Sequence, residues 1–171
     1  MTQEGLLEKI TSSRYLYTDA PRNVYWEMTT ACDLACKHCR AEAISCRDAA
    51  ELTTEEGEAL MRDAKAMGSM MIFTGGDPMK RPDLFDLISY ARELGLPICV
   101  TPSTTPTLTR WVVERFKRLG VAAMAVSLDG PSPAVHDHFR GVAGTFDHSM
   151  SALEWARDCK IPVQVNNPTP R

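Results

Sequence analysis

From residue 23 onward, short apolar runs alternate with longer amphipathic stretches. Asn23–Thr29 is β-branched and aromatic and predicts a strand. Thr53–Met67 opens with a threonine cap and an acidic first turn and places Leu60, Met61 and Ala64 at helical spacing. Met70–Thr74 is a continuous apolar run that ends in Gly75-Gly76. Pro82–Leu94 reads as a helix with proline at its start and Gly95 at its end. Pro97–Thr101 predicts a third strand, Thr107–Leu119 a third helix stopped by Gly120, and Ala122–Leu128 a fourth strand. Thr145–Cys159 predicts a fourth helix and Pro162–Val165 a fifth strand. Apolar strands separated by helices of about 10–15 residues mean βαβ units around a parallel sheet covered on both faces.

Length sets how many units fit. An eight-unit barrel takes about 250 residues, roughly 31 per unit. Residues 23–171 therefore hold roughly five units at that rate. The pattern supplies four βα units and a fifth strand, an open α/β sheet or a barrel cut short, preceded by an N-terminal arm over 1–22. In either fold, chemistry belongs on the loops after the carboxyl ends of the strands.

Composition narrows the classes. Nineteen Lys+Arg against 22 Asp+Glu, a net charge of −3, is too balanced for a nucleic-acid surface built on basic charge. A hydrophobic share of 44% is enough for a core. No apolar run reaches the roughly 18 residues of a membrane span, and the first residues lack a basic start before an apolar stretch. The expectation is a cytoplasmic protein with no membrane or nucleic-acid partner.

Four of the six cysteines, Cys32, Cys36, Cys39 and Cys46, fall within 15 residues. In a reducing compartment such clustering points to metal or chemistry rather than disulfides. Cys32, Cys36 and Cys39 form C-x₃-C-x₂-C directly after the first strand. Three thiolates this close suit a [4Fe–4S] cubane with one iron left open. A structural zinc site using these three with Cys46 or His38 is the alternative on spacing alone.

This loop after a first β-strand resembles the signature of the radical S-adenosylmethionine (SAM) superfamily. The resemblance implies a partial (β/α)₆ barrel and a [4Fe–4S] cluster on Cys32, Cys36 and Cys39. It also implies SAM bound through the open iron and reductive cleavage of SAM to a 5′-deoxyadenosyl radical that abstracts hydrogen. An electron would come from a flavodoxin- or ferredoxin-type reductant protein. Thr74–Pro78 (TGGDP) resembles the family's Gly-Gly-Glu-Pro stretch, which implies SAM contacts at Gly75, Gly76, Asp77 and Pro78. Asp77 stands where the family usually has glutamate, so restoring glutamate there is expected to be tolerated. Two glycines would let the backbone approach the ligand.

Further SAM contacts implied by the resemblance are Ser127 and Asp129 at the ribose, Arg140 at the carboxylate, and Asn166 and Ser103 at strand ends. His38 is implied beside the adenine. His136 and His138, two positions apart, read as part of a solvated loop, with a metal pair as the alternative, and Cys99 and Cys159 read as structural thiols. The phrases around Cys32–Cys39 and Gly75–Pro78 are similar to members that carry a C-terminal cysteine-rich SPASM domain and act in peptide maturation or haem and cofactor synthesis. The implied substrate is a peptide or a tetrapyrrole-type precursor. The family's core has six units and this pattern stops after a fifth strand, so the core over 23–171 reads as incomplete at its C-terminus. A non-catalytic iron–sulfur- or zinc-binding remnant is the rival reading.

Overall fold

The computed structural model describes residues 20–167. Most of the predicted arm and the last four residues lie outside that range. Five parallel strands form one sheet in the order β1 (Asn23–Glu27), β2 (Met70–Thr74), β3 (Ile98–Val100), β4 (Ala123–Ser127) and β5 (Val163–Asn166). Each strand pairs with the next in sequence, so every crossover steps one strand in the same direction. Right-handed crossovers of that kind stack their helices on one face of the sheet.

Three helices match the sequence pattern closely: α1 (Thr54–Ala66), α2 (Leu84–Leu94) and α3 (Arg110–Arg118). α1 starts on a full capping box. The Thr53 hydroxyl accepts from Glu56 N–H, and the Glu56 carboxylate accepts from Thr53 N–H. α3 is shorter than its pattern because Thr109 caps it and leaves Thr107 and Leu108 in the preceding turn.

A further helix, α4 (Pro133–Arg140), precedes α5 (Thr145–Asp158) and corrects the reading of this stretch as a loop. It starts on Pro133 and ends at Gly141, whose φ is 71°. Its periodicity is hidden because the one fully buried residue of the helix is polar: His136 has no exposure, while Phe139 and Val135 remain partly exposed. Asp137 then caps α5 across the turn, accepting from Gly144 N, Phe146 N and the Thr145 hydroxyl. These donors outweigh burial and hold its carboxyl below the usual range.

The core lies between sheet and helices. Trp26, Phe73, Val100, Met124 and Val126 point from alternate strand positions into Leu87, Ile88, Val113, Phe116 and Ala152. Residues one position on face the opposite side, which is open. Tyr25 is 68% exposed there, and Cys99 is only half-buried. Cys99 thus lies on the inner face beside Met70, Sγ to Sδ 3.7 Å, rather than in the sealed core its mid-strand position predicts. Cys159 caps α5 and packs partly buried against the core.

Trp26 sets the spacing of α1 from the sheet. Its ring meets Phe73 edge-on at 5.5 Å and lies 5.3 Å from the Arg81 guanidinium carbon. A Cβ at Gly57 would sit 2.4 Å from the tip of that ring. Gly57→Ala should therefore destabilise the protein, although alanine is about 1 kcal/mol better in a helix. Overpacking of a fixed ring costs about 1–3 kcal/mol and wins. Urea unfolding should show a lowered midpoint for the single variant and a smaller loss when Trp26→Phe is added. An unchanged or raised midpoint in the single variant would show that the ring gives way.

Candidate functional site

The cysteine loop is built by extending the sheet past its strand ends. Met28 N donates to Thr74 O (2.8 Å), Gly76 N to Thr29 O (2.7 Å) and Asp77 N to Ala31 O (2.7 Å). Both glycines are needed for this approach. Gly75 has φ of 133°, and a Cβ there would lie 2.4 Å from Thr29 O. A Cβ on Gly76 would lie 2.5 Å from Ala31 O. The close approach these glycines permit is thus to the cysteine loop's own backbone.

Three other contacts fix the loop. Cys32 N donates to Ile44 O and Ile44 N to Thr30 O, closing its base. Glu51 accepts from the Thr29 hydroxyl at 2.7 Å and Thr30 N at 3.0 Å, and also pairs with Arg47. Burial opposes ionisation of Glu51, but these donors outweigh it and hold its carboxyl below the usual range. On the far side, Ala35 N donates to Arg140 O and Lys37 N to Phe139 O. The loop thus satisfies two carbonyls at the C-terminus of α4 that the helix leaves without partners.

The three thiols line one cavity of about 190 Å³, with His38, Gly75, Gly76, Ser103, Ser127 and Arg140 on its walls. Each sulfur has an N–H donor. Leu34 N lies 3.4 Å from Cys32 Sγ, Ala43 N 3.4 Å from Cys39 Sγ, and Arg140 Nη1 3.6 Å from Cys36 Sγ. Burial pushes the Cys36 thiol up, Arg140 pulls it down, and Cys32 and Cys39 act on it as like charges. A larger hollow of about 480 Å³ opens between residues 47–55 and Arg81–Asp83. The buried charge there, Arg81, is committed to Asp83, Met28 O and Leu52 O. That hollow holds none of the thiols.

Among the described residues, no three His, Cys, Asp or Glu side chains converge on a single metal ion. The three thiols instead share a space, with a donor at each sulfur. That suits a cubane, whose irons sit at separate corners, better than a mononuclear zinc site. Cys46 is exposed, and the His38 ring turns toward Phe139 and Asp129, its Nε2 3.9 Å from the carboxylate.

The remaining sequence-predicted residues fall into two groups. Asp77 is fully buried beneath the cavity, where its carboxylate accepts from Met79 N, Ser103 N and the Thr105 hydroxyl. Burial pushes its carboxyl up, partly offset by those donors. Pro78 starts the 3₁₀ turn that Asp77 caps and is itself buried. Ser103 donates to Gly76 O at 3.0 Å and lies 3.4 Å from Cys32 Sγ, so it bridges the second and third strand ends to the thiol.

Asp129 lies behind Arg140, which meets it at 2.5 Å (Nε to Oδ2) and 3.0 Å (Nη2 to Oδ1). Asn166 sits apart on the inner face, accepting from Gln164. Sequence reasoning missed Glu27, which lines the cavity from the end of β1 and pairs with Arg40. Its alternation with Tyr25, which places it inward, was the available signal. The Glu51 brace carries no motif.

Residues 26–169 match the radical SAM superfamily. The chain belongs to that superfamily. It is 42% identical over 153 residues to an AdoMet-dependent heme synthase of Oleidesulfovibrio alaskensis, a match covering 89% of this chain and 39% of the relative. It is 40% identical over 141 residues to an Fe-coproporphyrin III synthase of Methanosarcina barkeri, covering 82% of this chain and 35% of the relative. The chain thus spans less than half the length of these curated relatives. Its fold matches Streptococcus suis SuiB solved with the precursor peptide SuiA, with a TM-score of 0.76 over 98% of this chain and 37% of that one, at 19% identity. The superfamily uses a [4Fe–4S] cluster held by three cysteines together with SAM. No helix among the described residues is long and apolar enough to cross a membrane.

Two predictions follow from the supports of the loop. Glu51→Ala should cost about 1–3 kcal/mol at neutral pH, because Thr29 and Thr30 lose a buried charged acceptor. The folded-state carboxyl lies below its unfolded value, so the stabilisation exists above the ordinary carboxylate range and fades as pH falls through the folded value. Urea unfolding at about pH 7 and about pH 3 should show the gap between wild type and variant shrinking in acid; an equal gap would assign the loss to packing.

Burial of Asp77 reverses the expectation for glutamate at that position. An added methylene has no room among Met79, Ser103 and Thr105, so Asp77→Glu should lower stability by about 1–3 kcal/mol. A thermal melt of that variant matching wild type would show that the turn can yield.

Proposed function

We propose that this chain forms the cluster- and SAM-binding part of a radical SAM enzyme acting on a tetrapyrrole precursor. The observation that carries the reading is the convergence of Cys32, Cys36 and Cys39 on one cavity at the strand ends, each sulfur with an N–H donor. In this reading the three thiolates hold a [4Fe–4S] cluster. Held there, such a cluster would supply the single electron for reductive cleavage of SAM into methionine and a 5′-deoxyadenosyl radical. A flavodoxin- or ferredoxin-type protein is the proposed reductant.

The chain's own residues position and shield. Gly75 and Gly76 form the cavity wall assigned to the methionine end of SAM, with the Gly76 carbonyl held by Ser103 and Ser103 held by Asp77. Ser127, at the end of β4, lines the part of the cavity assigned to the ribose. His38, edge-on to Phe139 at 5.8 Å, walls the side assigned to the adenine. Asn166 lies apart from that cavity on the open inner face of the sheet, the face proposed to meet the substrate. The substrate class rests on the two haem-pathway relatives, at 42% and 40% identity. A peptide is the second reading, supported by a PqqA peptide cyclase and a mycofactocin maturase among the relatives, at a lower 29% and 32% identity.

Anaerobic reconstitution should load a single [4Fe–4S] cluster, giving a broad absorption near about 410 nm. Cys36→Ala should abolish stable loading, whereas Cys99→Ala and Cys159→Ala should keep it. Undiminished iron and sulfide in all three single variants at Cys32, Cys36 and Cys39 would overturn the ligand assignment. Release of 5′-deoxyadenosine from SAM under dithionite separates the enzyme from a non-catalytic cluster-binding remnant.

A further inference from the structure

Arg140 meets two groups at once. Nη2 donates to Asp129 Oδ1 at 3.0 Å and Nε lies 2.5 Å from Oδ2 as an ion-pair contact outside hydrogen-bond geometry, while Nη1 points to Cys36 Sγ at 3.6 Å. Both side chains of the ion pair are nearly sealed, with 13% of Arg140 and 1% of Asp129 exposed. Both ends of the sulfur contact are fixed by backbone. Ala35 N and Lys37 N, on either side of Cys36, donate to Arg140 O and Phe139 O. Asp129 is fixed in turn, its N–H donating to His136 Nδ1 at 3.0 Å inside the protein. A chain of contacts therefore runs from the buried imidazole through the ion pair to one sulfur.

We propose that Arg140, held by Asp129, is a positioning residue that raises the reduction potential of the cluster by donating to the Cys36 sulfur; this rests on Cys36 being a cluster ligand. Reduction adds negative charge to the cluster and its sulfurs. A fixed guanidinium N–H at a ligand sulfur stabilises the reduced form more than the oxidised form, because hydrogen bonds to sulfur and local charge set cluster potentials. The Asp129 carboxylate tempers this effect while holding the fork in place. Arg140 also lines the cavity, so the pairing with the SAM carboxylate that family resemblance implies for it is the competing role that the test separates.

The test is an EPR-monitored redox titration of the reconstituted full chain without SAM, after iron and sulfide have been counted. Arg140→Gln should make reduction harder, lowering the ratio of reduced to oxidised cluster at a fixed potential about tenfold, or about 59 mV for one electron. Arg140→Lys keeps the charge but not the fork and should fall between wild type and Arg140→Gln. Asp129→Asn removes the tempering charge and should shift the ratio the other way. Opposite signs at Arg140 and Asp129 are not what a loss of structural support produces. If Arg140→Gln does not load, Arg140→Lys and Asp129→Asn carry the same test.

A midpoint unchanged in the loaded Arg140 variants would overturn the proposal. So would weakened SAM binding by calorimetry with the potential unmoved, which would return Arg140 to the SAM carboxylate. Failure of the wild-type chain to load any cluster would instead overturn the ligand assignment itself.

Discussion

The backbone pairing of Gly76 with Thr29 and Asp77 with Ala31 carries the loop that bears the thiols. It continues the β1–β2 ladder beyond the point where side chains would force the two segments apart. Everything at the strand ends is tied to it. The Asp77 carboxylate links the second strand end to Ser103 and Thr105 after the third. Ser103 then returns to Gly76 and approaches Cys32. A loop that would be mobile as an isolated segment is thus fixed by hydrogen bonds to neighbours that the sheet already orders. This is the kind of support that brings ligand groups within reach of a common centre.

The sheet and most helices were legible because their signals are local. The capping box at Thr53, the apolar run Met70–Thr74 and the glycine stops after α2 and α3 depend on residues a few positions apart. α4 was not legible, because its buried position is a histidine and its apolar residues face outward. The local signals of Pro133 and Gly141 were present, but the hydrophobic period that would have weighted them was missing.

The candidate site divided in the same way. The cysteine spacing located the cavity and placed most of its wall. What the sequence did not show is which way each polar group turns. Asp77 and Asp129 are both aspartates in strand-end motifs that resemblance assigned to ligand. In the fold Asp77 is sealed beneath the cavity and Asp129 sits behind Arg140. That orientation depends on partners 26 and 11 residues away, which no motif records. Glu51 likewise acts across 22 residues on Thr29.

The seat of the cysteine loop on the end of α4 also orders events during synthesis. Cys36 and the arginine that approaches it are 104 residues apart. At about 5–20 residues per second, the three thiols are made roughly 5–20 seconds before Arg140. Until then, the backbone N–H groups of Ala35 and Lys37 have no carbonyls to meet, and the sulfur of Cys36 has no guanidinium beside it. An assembly factor delivering iron and sulfide in that interval would meet three thiols without their frame, open to oxidation or to a competing metal. For a cluster held by these thiols as proposed, the architecture favours delivery after β4 and α4 have docked, as a late step of biogenesis.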